Sequence, residues 1–147
     1  MSETILRVNN LKKDFMSRQR RKTNQDNFVH AVNQVSFVMQ KGRTLGLVGE
    51  SGCGKSTVAK MIMGVLPVDQ GSIYYEDRCI VDTEKHIKIK NKEMEQLRKR
   101  MQIVFQDPSS CLDPRKNIEQ LITEGIKKHC ICPKNEMREY CIEMMES

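Results

Sequence analysis

The sequence predicts an α/β fold organised around an anion-binding turn, on three observations. Thr44 to Val48 is a short apolar run of strand character. Gly49-Glu50-Ser51-Gly52-Cys53-Gly54-Lys55-Ser56-Thr57 follows, with two glycines bracketing four residues ahead of Lys and a hydroxyl residue. Val58 to Met63 then continues with helical character. The chemistry explains the spelling. Gly52 and Gly54 can adopt backbone angles closed to other residues, so successive N–H groups turn inward around a phosphate. A helix beginning near Lys55 adds its positive dipole end. Lys55 would then reach the outer phosphates as a mobile charge, and the Ser56 hydroxyl would coordinate Mg²⁺. The bland alternative is a glycine-rich turn that joins strand to helix and binds nothing.

Taken in order, Thr4 to Asn10 reads as a first strand ending in an Asn turn, with Leu11 to Phe15 after it. Met16 to Asn27 is polar and basic without hydrophobic period, which marks an exposed loop or insertion. Phe28 to Gln40 returns to strand character, with Val35, Phe37 and Met39 alternating toward one face. These two strands are expected to pair like a hairpin. Beyond the loop helix, Gly64-Val65-Leu66-Pro67 ends the helix and Asp69-Gln70-Gly71 turns into the strand Ser72 to Tyr75. An apolar strand ending in Glu76-Asp77 has the look of a cation-holding strand end, but the run is too short and Arg78-Cys79-Ile80 continues it as a hairpin. Asn91 to Arg100 reads as a charged helix with Met94 and Leu97 inward, and Met101 to Phe105 as a strand. Gln106 to Arg115 is a loop fixed by two prolines. Ile118, Leu121, Ile122 and Ile126 recur at helical spacing, and after Pro133 a further helix carries Met137, Tyr140, Cys141, Met144 and Met145 on one stripe. The two stripes are expected to pack against each other, the alternative being a Met-rich partner groove.

A chain of 147 residues suffices for one domain with a core of its own. Its net charge of +6 is local: six basic residues fall between Lys12 and Lys22 against Asp14 alone, and a second cluster runs from Lys85 to Arg100. A nucleic-acid partner is set aside, because the first cluster lies in a polar loop and the second alternates with Glu93 and Glu95, as solvated surface does. No apolar run approaches a membrane span and the N-terminus lacks a signal core, so a cytosolic protein is expected. The six cysteines are scattered and are read as reduced thiols. His129, Cys130, Cys132 and Cys141 lie close in sequence, but a Cys-x-Cys step is not the usual zinc spacing and Cys141 falls on an apolar face.

Gly49 to Thr57, Met101 to Phe105 and Gln106-Asp107-Pro108 together resemble the nucleotide-binding subunits of ABC transporters. Ala31 to Phe37, Gly46 to Thr57 and Val104 to Pro108 look more specifically like the ATP subunits of oligopeptide and dipeptide importers. The resemblance covers nearly the whole chain. It implies a P-loop NTPase core of ABC type with an N-terminal antiparallel β subdomain and the start of a helical subdomain, divided as residues 1–108 and 109–147. It implies ATP and Mg²⁺ as ligands, with ATP cradled by Gly49, Glu50, Ser51, Gly52, Cys53, Gly54, Lys55, Ser56 and Thr57. Gln106 would be the Q-loop glutamine touching Mg²⁺ and the attacking water, a task that suits an amide because it donates and accepts without adding charge. Ser56 and Gln106 would be the metal contacts. An aromatic residue stacks on adenine in the family, and Phe15 is the better candidate here, with Phe28 the weaker. The implied partners are a second ATP-binding subunit, in a homo- or heterodimer, and transmembrane permease subunits at the cytoplasmic face of the membrane. Peptide and nickel importers share these motifs.

The family's Leu-Ser-Gly-Gly-Gln signature, acidic strand with general-base Glu, and switch His do not occur in these 147 residues. The sequence-based expectation is therefore a single truncated nucleotide-binding domain with an incomplete sheet. Thr44 to Val48 and Met101 to Phe105 are then expected to face a gap of unpaired backbone groups. Two other readings stand beside it: a non-catalytic remnant that binds nucleotide or a partner without turnover, and a small P-loop kinase.

Overall fold

The computed structural model describes residues 3–16, 28–107 and 111–146. The residues from 17 to 27, expected to form a basic loop, and Pro108 of the Gln106 motif lie outside the described residues. Two compact units divide the chain, Met1–Met101 and Gln102–Ser147.

The first unit is built on a five-stranded antiparallel sheet of order β2-β1-β3-β4-β5. Its strands are β1 (Thr4–Met16), β2 (Phe28–Gln40), β3 (Gln70–Tyr75), β4 (Arg78–Asp82) and β5 (Ile87–Lys88). Two helices join it, α1 (Lys55–Ile62) and α2 (Asn91–Arg98). Leu6, Val8 and Leu11 of β1, Ile73 and Tyr75 of β3, Val58 and Met61 of α1, and Met94 and Leu97 of α2 share one buried cluster. Val35, Phe37 and Met39 pack on its edge from β2, on one face as their alternation requires. Glu76 and Asp77, with φ of 45° and 61°, form a two-residue hairpin turn between β3 and β4, whose positive angles match the twist of the strands.

The anticipated turn at Asn9-Asn10 is instead a β-bulge inside one long strand. Val8 pairs with Phe37 and Leu11 with Val35, so two β1 residues stand opposite Ser36 alone. Asn10 takes φ of 46°, and its N–H donates to Ser36 Oγ at 2.7 Å. The extra residue shifts the alternation: Leu6 and Val8 are buried before it, Leu11 and Lys13 after it. Lys13 is therefore not part of a solvated basic loop, as its charge cluster suggested, but is 8% exposed. Its ammonium donates to Asp69 Oδ1 at 2.6 Å, and Asp69 Oδ2 accepts the Asp14 N–H at 2.8 Å. A buried ammonium without such a partner would cost several kcal/mol, roughly the stability margin of a small domain.

Two expected strands do not form. Thr44 to Val48 and Met101 to Phe105 are irregular, with Val48 98% exposed and Val104 89% exposed. Strand structure needs a neighbour to receive its N–H and C=O groups, and among the described residues no strand pairs with either segment. This is the unpaired condition that the missing family strands lead one to expect.

In the second unit, α3 (Ile118–His129) packs against α4 (Met137–Glu146). Asn117 caps α3 by accepting the Gln120 N–H at 2.8 Å while Gln120 Oε1 accepts the Asn117 N–H at 3.0 Å. Ile126, Met137 and Cys141 are buried as the stripes predict, whereas Ile118, Met144 and Met145 are exposed. Among the described residues no helix is long and apolar enough to cross a membrane.

At the end of β4, the buried Asp82 accepts the Tyr74 hydroxyl at 2.7 Å and the Lys85 N–H at 3.1 Å. The tyrosine hydroxyl first, then the Lys85 backbone, hold its carboxyl below the ordinary value of 3.8. The stability this supplies is fully present above pH 3.8 and is lost as the pH falls through the lowered folded-state value. Replacement by Asn should thus lower the urea midpoint at neutral pH and flatten its decline below pH 3.8, measured by circular dichroism.

Candidate functional site

The loop is exposed from Gly49 to Cys53 and half-buried at Gly54, and Gly52 and Gly54 have φ of 82° and 95°. Both angles lie where side chains are disfavoured, which accounts for glycine at these two positions. Gly54 is the residue before α1, and no side chain caps the helix. The first N–H groups of α1 therefore remain available to an anion at its positive end.

Position 54 has a second constraint that the sequence did not disclose. Lys13 pairs with Val32 and Asp14 with His30, so Ala31 is a bulged residue in β2. A Cβ built on Gly54 would collide with the Ala31 carbonyl oxygen and lie 3.3 Å from Val32 Cγ2. The loop is thus seated directly on β2. Gly49 is constrained from within the loop, since a Cβ there would lie 2.6 Å from Cys53 Sγ.

Lys55 bends back across the loop. Its ammonium donates to the carbonyls of Gly49 at 2.8 Å and Glu50 at 2.6 Å, and stands 3.4 Å from Cys53 Sγ. Ser56, second residue of α1, is exposed, and Thr57 is half-buried. The set comprises glycine-freed backbone donors, an uncapped helix N-terminus, one mobile cation and an exposed hydroxyl. These residues fit a polyphosphate with its divalent cation, and they fit nothing apolar.

α1 is fixed at its far end as well. Gly64, with φ of 63°, donates its N–H to Met61 O at 3.0 Å, and Val65 N–H donates to Lys60 O at 2.9 Å. Arg98 of α2 then donates to the Met63 carbonyl from Nε at 3.4 Å and from Nη2 at 3.3 Å. The last carbonyls of the loop helix are thereby met by a guanidinium.

Of the two aromatic candidates, Phe15 pairs across the sheet with Val29 and Phe28 with Met16. Phe15 is 39% exposed, with the Lys13 ammonium 5.6 Å from its ring centroid. At about 3.3 Å per residue, the Val29 rung lies roughly 7 Å along β2 from the Ala31 carbonyl on which Gly54 rests. Gln106 belongs to the second unit, where it is exposed in a bend. Among the described residues no group of three or more His, Cys, Asp or Glu converges as a metal site, His129, Cys130, Cys132 and Cys141 included. The sequence reading missed Ala31 and the Lys13–Asp69 pair. Lys13 carried a signal, lying two residues from both Leu11 and Phe15, in phase with an inward face.

Residues 32–146 match the ABC transporter family. The chain is 37% identical over 146 residues to a probable peptide ABC transporter ATP-binding protein, y4tS, of Sinorhizobium fredii, covering 99% of this chain and 39% of the relative. It is 36% identical over 143 residues to the oligopeptide transport ATP-binding protein AppF of Bacillus subtilis, covering 97% of this chain and 42% of the relative. The chain thus spans less than half the length of these two relatives. A structural neighbour is cbiO1 of Clostridium perfringens, part of the ABC transporter complex cbiONQ. It superposes with a TM-score of 0.63 at 24% identity, over 93% of this chain and 47% of that one, a likeness of fold.

The two glycine constraints differ in kind, and substitution should separate them. Gly52→Ala meets nothing within 4 Å and bears only the cost of its positive φ, about 1 kcal/mol. Gly54→Ala adds the collision with Ala31 and should destabilise the first unit by at least about 2 kcal/mol. Urea titration of the two variants reads the difference.

Proposed function

This chain belongs to the ABC transporter family, and from that premise we propose that it is an ATP-binding portion of a subunit energising oligopeptide or dipeptide import. The observation that carries this reading is the uncapped start of α1 beneath a loop whose Lys55 ammonium already lies among the loop's own atoms. Bound ATP would supply the phosphoanhydride. The N–H groups of the loop and of the first turn of α1 would hold its phosphates, and Lys55 would neutralise the outer ones. Ser56 and Gln106 would be the Mg²⁺ contacts. Phe15 would take the adenine ring, with Phe28 the alternative. Residues 1–108 serve as the β subdomain and nucleotide core in this reading, and residues 109–147 as the start of the helical subdomain. A second ATP-binding subunit and permease subunits are the proposed partners, at the cytoplasmic face of the membrane. Similarity to peptide transport proteins supports the peptide assignment over nickel.

A second reading, nucleotide binding without turnover by this chain alone, is favoured by one observation. The segment Thr44 to Val48, from which the loop hangs, is unpaired and exposed. An unpaired base holds phosphates less rigidly than in-line attack of a water demands.

Lys55→Ala should weaken binding of a fluorescent ATP analogue by at least about tenfold, given the strength of charge-assisted hydrogen bonds to phosphate. Binding left unchanged would sink the phosphate-cradle assignment. Mg-ATP should also slow alkylation of Cys53, and equal labelling with and without nucleotide would count against the site. Phosphate release that depends on Lys55 would rule out the second reading.

A further inference from the structure

The bulge at Asn9-Asn10 turns Lys13 inward, and everything its ammonium then meets lies at the Phe15 end of β1. Asp69 binds it with one carboxylate oxygen and the Asp14 N–H with the other, at 2.6 Å and 2.8 Å. One side chain from the turn before β3 therefore fastens both the side chain of residue 13 and the backbone of residue 14. The Asp69 N–H returns a bond to the Lys12 carbonyl at 3.2 Å. The next residue is Phe15, and the pinned ammonium sits within cation–π range of its ring, at 5.6 Å from the centroid.

We infer that Lys13 is a positioning residue for base recognition: held by Asp69, its ammonium sets the plane of the Phe15 ring on which the adenine of a nucleotide stacks. This rests on the proposed role of Phe15. A ring at a strand end, 39% exposed, has free torsions of its own, and a base gains from stacking only on a ring whose plane is already set. An ammonium on the same face of β1 supplies that restraint without covering the outward side. It also draws electron density from the ring, which favours stacking with an electron-rich purine. The phosphate loop contacts β2 at the Ala31 carbonyl and Val32 Cγ2, and Lys13 is the cross-strand partner of Val32 through its backbone, while its ammonium is bonded to Asp69, so a change confined to the ammonium separates base from phosphate recognition.

The measurement is the ratio of affinities for Mg-ATP and Mg-tripolyphosphate, by calorimetry on the full chain. Tripolyphosphate reports the loop alone, and the ratio isolates what the base adds. Lys13→Met, which keeps the stem, should lower the ratio about three- to tenfold with tripolyphosphate affinity unchanged within about twofold, as a stacking contribution of this size requires. Lys13→Arg should preserve the ratio. Asp69→Asn should lower it in the same direction, which keeps the inference testable where Lys13→Met does not fold. Phe15→Leu should lower the ratio, and adding Lys13→Met to it should change nothing further.

A parallel loss of both affinities in Lys13→Met and Asp69→Asn would show a purely structural ion pair and overturn the inference. Loss of the ratio in Phe15→Leu but not in the Lys13 and Asp69 variants would overturn it while leaving Phe15 as the base platform. A ratio unaltered by Phe15→Leu, or absent from the unsubstituted chain, would end both.

Discussion

Gly71 rests beneath a kink that sets the phase of β1. A Cβ at this position would lie 2.5 Å from the Asn9 carbonyl oxygen and 2.6 Å from that of Asn10, and the residue itself has φ of 105°. Only glycine lets β3 approach the bulge, and only the bulge lets Leu6, Val8, Leu11 and Lys13 share one face. Without the extra residue Lys13 would change faces and Asp69 would have no ammonium to meet. The sheet, the core cluster and the Phe15 end of β1 all inherit their register from this crossing.

The loop illustrates a different dependence. Its own spelling secures the backbone angles at Gly52 and Gly54, but its position comes from a carbonyl on another strand. The Ala31 bulge places that carbonyl under Gly54, and α1 begins at the next residue. Local sequence shapes the cradle, and tertiary contact locates it.

Elements whose stability is local were legible in the sequence. The boundaries of β2 and α1, the β3–β4 hairpin, and the inward Met94 and Leu97 of α2 all follow from periodicity and turn chemistry. What escaped depends on partners distant in sequence. The Asn9-Asn10 bulge needs Ser36 and Gly71, and the burial of Lys13 needs Asp69. Thr44 to Val48 and Met101 to Phe105 show the converse: their composition suits strands, but a strand is a property of a pair, and the pairing groups must be present for it to appear. The glycines, Lys55 and Ser56 of the loop stand out in the sequence because their spacing has a chemical rationale, while Phe15 was singled out only through family resemblance.

The guanidinium of Arg98 at the far end of α1 gives the loop helix a second terminal. An eight-residue helix is a rod of about 12 Å, stiff over that length, with anion chemistry at one end and cation chemistry at the other. In the proposed reading, a phosphate at the first turn and the guanidinium beyond the last would act on one and the same dipole. Since Arg98 is the last residue of α2, the Met63 carbonyl ties the end of that helix to the end of the loop helix, and the two helices share one anchoring point.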